Sequence, residues 1–215
     1  MSSEARLKET IDTYNKAAIL YQDKFMEMDL YNDTFDKFCS MIEKNNADIF
    51  EIATGPGNVT RYLNLRRPDF KIFGIDLAPN MIELAKINNP HADFKVMDCK
   101  EIGTIDRKYD GVICGFCAPY LSKEEVKALI KDISKLLDSS GLFYLSTMED
   151  DYNKSGFETT SFSGNDRVYI YYHQSDYLID CLKESGFEVI DIQRKDYPEP
   201  DGTFLTDLII IAKKK

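Results

Sequence analysis

The chain has 215 residues, which suits one domain with a filled core. Hydrophobic residues make up 43% and charged residues 30%, a composition that excludes wholesale disorder. The formal net charge of -10 disfavours a nucleic-acid partner, because phosphate backbones repel an acidic surface. No apolar stretch is long enough to span a bilayer, and the first residues lack the apolar core of a signal peptide. We therefore expect a cytoplasmic protein with no membrane partner.

The first 46 residues have a helical pattern and are predicted to form a cap over the rest of the chain. Apolar residues recur every three or four positions, a spacing typical of an amphipathic helix: Leu7, Ile11, Tyr14, Ala18, Tyr21, Phe25 and Met28. A second helix is predicted over Phe35 to Ile42.

Residues 47–149 alternate between short apolar strands and helices. The predicted strands are 48–54, 70–76, 91–97, 109–114 and 142–146. Asn58 is predicted to cap one helix, Pro79 to start another, and Ser122 with Glu125 to form a capping box at the start of a third, which Gly141 closes. This alternation predicts parallel strands joined by crossover helices, hence a doubly wound, Rossmann-like α/β fold with helices on both faces.

The last third of the chain does not continue the alternation of strands and helices. Residues 150–173 are predicted to form an inserted hairpin over the ligand site, with its turn at 163–166. Residues 174–215 are predicted to form a helix near 176–184 and two strands, 187–192 and 204–212, joined by a loop alone. Strands joined in this way pair antiparallel, so the mostly parallel sheet should close on an antiparallel strand.

Acidic residues and glycines follow successive strands, where a doubly wound sheet binds its ligand. Gly55 and Gly57 follow the first strand, Asp76 ends the second 19 residues after Gly57, and Asp98 ends the third. Each acid could separately be a turn or helix cap, but their joint placement predicts one ligand site.

These segments resemble the class I S-adenosylmethionine-dependent methyltransferases over about residues 48–215. The resemblance rests on the glycine-rich residues 51–60, the acidic motif 74–81, Asp98 with Cys99, the strand 108–114 and the turn 185–189. It implies a seven-stranded sheet with the last strand antiparallel. It also implies S-adenosylmethionine as cofactor and S-adenosylhomocysteine as product.

The resemblance implies a set of residues around the cofactor. Asp76 would hold the ribose and Asp98 with Cys99 the adenine. The remaining candidates are Glu51, Ala53, Thr54, Gly55 and Gly57 at the bend, Leu77 and Met81 beside the adenine, Phe116 near the sulfur, and Tyr14 and Tyr21 in the covering helix.

Two positions depart from the family pattern. Ala53 stands where the family usually has a glycine, and because alanine disfavours a positive φ, a slightly shifted turn is predicted. Ala118-Pro119-Tyr120 replaces the Asp/Asn-Pro-Pro-Tyr signature of some amine-methylating members, which disfavours methylation of base amino groups.

The predicted activity is methyl transfer to a small-molecule acceptor by in-line displacement in a desolvated pocket. A general base is needed only when the acceptor must lose a proton, and the candidates are His173 and Tyr120. For His173, a structural role at the end of the hairpin is the competing interpretation. Whether oxygen, nitrogen, sulfur or carbon is methylated stays open, as does the oligomeric state.

Two other functions compete with this one. A nicotinamide-dependent oxidoreductase shares the strand, bend and acid, but Thr60 stands where its fingerprint has a third glycine. A non-catalytic S-adenosylmethionine-binding module would keep the same fold. Cys114 and Cys117 form a Cys-x-x-Cys pair, which we interpret as apolar packing rather than a redox pair or half a zinc site, and no metal is expected.

Overall fold

The computed structural model describes residues 3–160, 162–164, 166–199 and 202–215. Seven strands form one sheet in the order β3-β2-β1-β4-β5-β9-β8. Their bounds are β1 Asp48–Ile52, β2 Lys71–Asp76, β3 Asp93–Val96, β4 Tyr109–Gly115, β5 Leu137–Met148, β8 Phe187–Pro198 and β9 Phe204–Lys214. Strands β1 to β5 pair in parallel, and β9 pairs antiparallel with both β5 and β8. The predicted doubly wound sheet that closes on an antiparallel strand is confirmed.

Helices cover both faces of the sheet. Their bounds are α1 Ser3–Lys16, α2 Ala18–Phe25, α3 Asn32–Met41, α4 Asn58–Arg66, α5 Pro79–Asn88, α6 Lys123–Leu136 and α7 Ser175–Glu184. One face carries an apolar core with α6 and α7, and the other a core with α3 and α4. Helix α5 flanks β2 and β3 and carries α1 and α2 against its outer side. Within the described ranges, the structure contains no helix that is both long and apolar enough to cross a bilayer.

The caps test how far local sequence determines the helix ends. Pro79 is the first residue of α5, and Ser122 and Glu125 exchange both hydrogen bonds of a capping box, so these two predictions are confirmed. The prediction that Asn58 caps α4 is wrong. The cap residue is Gly57, in a left-handed conformation, and Asn58 is already helical.

The N-terminal segment contains three helices instead of the predicted two. The first breaks at Ala17, whose φ and ψ of -99° and 19° are not helical and whose side chain is buried. No proline or glycine marks the break. It separates α1, which contacts α5 and the hairpin strand β7 (Arg167–Ile170), from α2, which contacts α5. Tertiary packing, which the helical period does not encode, therefore sets this boundary.

Strand β5 begins earlier than predicted, directly after α6. Its pairing with β4 shifts from Tyr109–Leu137 to Gly111–Leu142, so that residues 138–141 bulge out. Ser140 in this bulge has a φ of 67°. Gly141 therefore lies in a bulge within the strand and does not end the helix.

The insertion forms the predicted hairpin from β6 (Gly156–Thr159) and β7 (Arg167–Ile170). Residues 161 and 165 of the predicted segment lie outside the described residues. The hairpin packs on α1, where the Thr13 hydroxyl donates to the Arg167 carbonyl at 3.1 Å and Glu9 pairs with the Arg167 guanidinium at 2.6 Å. The two segments thus form a cover over the carboxyl edge of the sheet.

Candidate cofactor and acceptor site

A cavity of about 550 Å³ lies between the carboxyl edge of the sheet and the cover. Its wall includes residues from α1, α2, the hairpin and the ends of strands β1, β2, β4 and β5. Ligand pockets commonly measure about 300–1,000 Å³, so the space suits a cofactor together with a small acceptor.

The bend after β1 follows a left-handed path. Ala53, Gly55 and Gly57 have φ values of 58°, 53° and 80°. Ala53 does not avoid a positive φ, as the sequence analysis assumed, because the alanine adopts the conformation that glycine normally supplies. Ala53 and Gly55 line the cavity. Thr54 and Gly57 lie on the side of the bend that faces away from the cavity.

The strained alanine gives a testable expectation for stability. A left-handed conformation costs an L-residue about 1–2 kcal/mol, and glycine avoids this cost but loses more entropy on folding. We expect Ala53→Gly to raise the free energy of unfolding by about 1 kcal/mol, measured by urea denaturation. A loss of stability in that variant would show that the alanine methyl group contributes more through packing than it costs in strain.

Asp76 anchors the bend from the end of β2. Its Oδ2 accepts a hydrogen bond from the Gly55 amide at 2.9 Å, and its Oδ1 accepts one from the Ala78 amide at 2.8 Å. Burial raises the pKa of the Asp76 carboxyl, and the backbone donors oppose this shift. The residue lines the cavity, so its carboxylate holds the glycine-rich bend and faces the ligand space at once.

Glu51 lies beneath the same bend, 2% exposed, and accepts a hydrogen bond from the Thr60 hydroxyl. Burial raises the pKa of the Glu51 carboxyl to about 7, against the opposing effect of that hydroxyl. Glu51 also lines the cavity.

Asp98 lies beyond the end of β3, at the start of a short 3-10 helix, Cys99–Thr104. Its Oδ1 accepts the Lys100 amide at 2.9 Å, so the cap interpretation holds for this residue. It nevertheless lines the cavity, as do Cys99, Leu77 and Met81. The acids from two successive strand ends therefore face one space.

Aromatic rings close the cavity from the cover. Tyr14 lies 5.7 Å from the Tyr21 ring and 5.4 Å from the Phe162 ring of the hairpin. A Cβ at Gly55 would lie 3.6 Å from the Tyr21 ring, so the glycine faces this cluster. The Tyr14 hydroxyl is hydrogen-bonded to the Tyr120 hydroxyl. Both predicted covering tyrosines and Tyr120 line the cavity.

His173 is not placed to act on an acceptor. The side chain is fully buried, and its Nε2 lies 3.0 Å from the carbonyl oxygens of both Ala118 and Leu121. Burial lowers the pKa of the imidazole. His173 is not among the residues that line the cavity. These contacts favour the structural interpretation of this histidine, because its ring links the segment after β7 to the loop after β4.

Tyr120 does lie at the cavity, but it is poorly suited to accept a proton. Burial raises the pKa of its hydroxyl above the ordinary value. A neutral phenol can position an acceptor through a hydrogen bond. Of the two predicted catalytic residues, only Tyr120 is therefore close enough to take part.

Phe116 follows β4 with a φ of 54°, and its amide donates to the Ser146 hydroxyl at 3.1 Å. Its side chain lines the cavity. The neighbouring Cys114 and Cys117 pack in the apolar core. No group of metal-ligating residues occurs in the part of the chain that the structure describes.

Two residues that the sequence analysis missed also line the cavity. Asp207 on β9 is 3% exposed, and its Oδ2 accepts a hydrogen bond of 2.6 Å from the Tyr31 hydroxyl. The available signal was a lone acid at the start of the apolar run Leu208–Ala212. Their pairing spans 176 positions, which no local pattern reveals.

The fold and the site together define a class of protein. A doubly wound sheet ends in an antiparallel strand, a glycine-rich bend follows β1, and acids at the ends of β2 and β3 face one cavity. Residues 49–141 match the family described as a methyltransferase domain. Residues 49–141 of this chain are therefore similar to a methyltransferase domain, as the motifs indicated.

Relatives of this chain are named methyltransferases. Protein 235L of Invertebrate iridescent virus 6, named a methyltransferase, is 35% identical over 101 residues, or 47% of this chain and 37% of that protein. The chain thus spans little more than a third of that relative. Demethylmenaquinone methyltransferase of Thermotoga maritima is 24% identical over 69% of this chain and 73% of its own length.

Solved structures show the same fold. Magnesium protoporphyrin IX methyltransferase from Synechocystis PCC 6803, with bound S-adenosylmethionine, superposes with a TM-score of 0.72 at 16% identity. The superposition covers 100% of this chain and 98% of that one.

Proposed function

We propose that the chain binds S-adenosylmethionine in the cavity and transfers the methyl group to a small-molecule acceptor. The observation that carries this proposal is the position of Asp76, which holds the Gly55 amide and faces the cavity. The Asp76 carboxylate accepts hydrogen bonds from the Gly55 and Ala78 amides, and the Leu77 amide also stabilises it. Its remaining acceptor capacity would be used by the ribose hydroxyls.

The rest of the wall fits the parts of the cofactor on either side of the ribose. Asp98, Leu77 and Met81 offer a carboxylate and apolar surface for the adenine, with the Cys99 backbone beside them. The absence of a side chain at Gly55 leaves room between the bend and the Tyr21 ring for the amino-acid end. Glu51, below the bend, adds a buried carboxyl group near that end.

The cover supports a small acceptor over a macromolecule. Rings from α1, α2 and the hairpin, including Tyr14, Tyr21 and Phe162, contact one another above the bend. Such a cover restricts access to molecules that fit inside the cavity. The net charge of -10 further disfavours RNA or DNA as the acceptor.

The chemistry needs positioning more than acid–base groups. When bound, the cofactor supplies a methyl group on a positively charged sulfur, which is already a good leaving group. Apolar walls exclude water, and the hydroxyl pair of Tyr14 and Tyr120 can orient an acceptor by hydrogen bonding. Alignment in a dry cavity then accounts for most of the rate enhancement.

Ligand-induced stabilisation tests the proposal directly. A ligand present at 100 times its Kd stabilises the native state by about 2.7 kcal/mol, or about 5–10 °C in Tm for a protein of this size. We expect S-adenosylhomocysteine to produce such a shift and NAD to produce none.

The opposite pattern would assign the chain to the nicotinamide-dependent oxidoreductases. A shift with S-adenosylhomocysteine, combined with no methyl transfer to any member of a broad small-molecule panel, would favour the non-catalytic binding module.

A further inference from the structure

Asp207 is a buried carboxylate without a cationic partner among the described residues. It is 3% exposed, and its Oδ2 accepts a hydrogen bond of 2.6 Å from the neutral Tyr31 hydroxyl. Burial, together with a smaller effect of nearby Glu199, raises the pKa of the Asp207 carboxyl to about 7 against the opposing effect of the Tyr31 hydroxyl. Lys195 lies directly opposite Asp207 on β8, but its ammonium pairs with Asp33 at 2.6 Å.

The topology places Asp207 at the carboxyl edge of the sheet, near Phe116. Because β9 runs antiparallel, its first residues reach the carboxyl edge of the sheet, where Asp207 pairs with Met148 of β5. Tyr31, which holds Asp207, lies 5.2 Å from the Phe116 ring at the end of β4. Phe116 is the residue that the family resemblance places near the sulfur.

The charges around the cavity are strongly unequal. Seven acidic and two basic side chains line it within the described residues. Arg61 pairs with Glu27 at 2.5 Å, and Lys100 lies 3.8 Å from Asp98 and 3.5 Å from Glu125, so both cations already have acidic partners. Glu158, Glu199 and Asp207 all lie on the wall formed by the hairpin and the β8–β9 pair.

We infer that the acceptor is a basic amine whose ammonium group is bound by Asp207, with Tyr31 fixing the carboxylate. This inference rests on the proposed function and names the class of its acceptor. A buried carboxylate is costly unless a positive charge compensates it, and a bound ammonium supplies that charge through a charge-assisted hydrogen bond. An acceptor that carries a carboxylate or phosphate would instead meet a wall of like charge.

The aromatic character of the same wall suits the rest of such a molecule. Tyr31, Phe116, Tyr172 and Tyr197 line the cavity, and their rings offer apolar surface together with favourable faces for a cation. The inferred acceptor is therefore an alkylamine with an apolar body.

Three probes of nearly equal size test whether the cavity prefers a positively charged ligand. The affinities of 2-phenylethylamine, 2-phenylethanol and phenylacetate are measured by NMR titration at pH 8, with and without S-adenosylhomocysteine. At that pH the Asp207 carboxyl is mostly ionised. We expect the amine to bind about ten-fold more tightly than either other probe, and Asp207→Asn to abolish this preference.

The control is Asp196→Asn, which removes the same charge from an exposed side chain on the opposite face of β8 from Lys195. It should leave the preference for the amine intact. Equal or tighter binding of phenylacetate to the wild-type protein would overturn the inference without relying on any variant. So would an amine preference that survives Asp207→Asn.

Binding of S-adenosylhomocysteine, measured separately by calorimetry, keeps the two proposals apart. Its failure to bind the wild-type protein would contradict the proposed function. The probe titrations in the absence of S-adenosylhomocysteine would still show whether the cavity binds a cation preferentially.

Discussion

Replacing Asp76 by asparagine should lower the affinity for S-adenosylhomocysteine by about 100-fold, as measured by calorimetry. The carboxylate would accept two ribose hydroxyls, and a hydrogen bond to a charged group contributes about 1.5–3 kcal/mol. An amide nitrogen in place of one oxygen would also face the amide of Gly55 or Ala78 as a second donor. The substitution therefore affects the ligand contact and the bend together.

The matched control is Asp93→Asn, which removes an exposed carboxylate from the start of β3. It should leave the affinity unchanged. An Asp76→Asn protein that is folded by circular dichroism and binds as well as the wild type would remove Asp76 from the site.

Gly57→Ala should be the most destabilising glycine substitution at the bend. A Cβ there would lie 2.3 Å from Asn89 Nδ2 and 3.3 Å from the Ala85 backbone, at a φ of 80°. Asn89 is buried and donates to the Gly57 carbonyl at 3.0 Å, so it has little freedom to move. Backbone strain and overpacking together should lower the free energy of unfolding by about 3 kcal/mol, measured by urea denaturation.

Gly186→Ala distinguishes the effect of backbone strain from that of overpacking. Gly186 has a φ of 85°, but no atom lies within 4 Å of its would-be Cβ. This variant carries the strain alone and should lose about 1 kcal/mol. Equal losses in both variants would contradict a steric role for Asn89 behind the bend.

The features that the sequence predicted well are those set by neighbouring residues. The Ser122–Glu125 capping box and the proline at the start of α5 follow from local hydrogen bonding and a fixed φ. The placement of Asp76 and Asp98 at one cavity follows from strand order, since parallel strands end at the same edge.

The predictions that failed, and the residue that was missed, concern features set by tertiary structure. Ala17 interrupts a helical pattern between α1, which contacts both α5 and the hairpin strand β7, and α2, which contacts α5. His173 has the residue type of a general base, but its neighbours in space are two carbonyl groups. Asp207 lies far along the chain from Tyr31 and from the bend, so only the antiparallel insertion of β9 brings it to the cavity.

A crystal structure of the complex with S-adenosylhomocysteine tests the central claim most directly. We expect both ribose oxygens within about 3 Å of the Asp76 carboxylate, and the adenine between Met81 and Asp98. A nucleoside bound outside this cavity, or inside it with no contact to Asp76, would contradict the account.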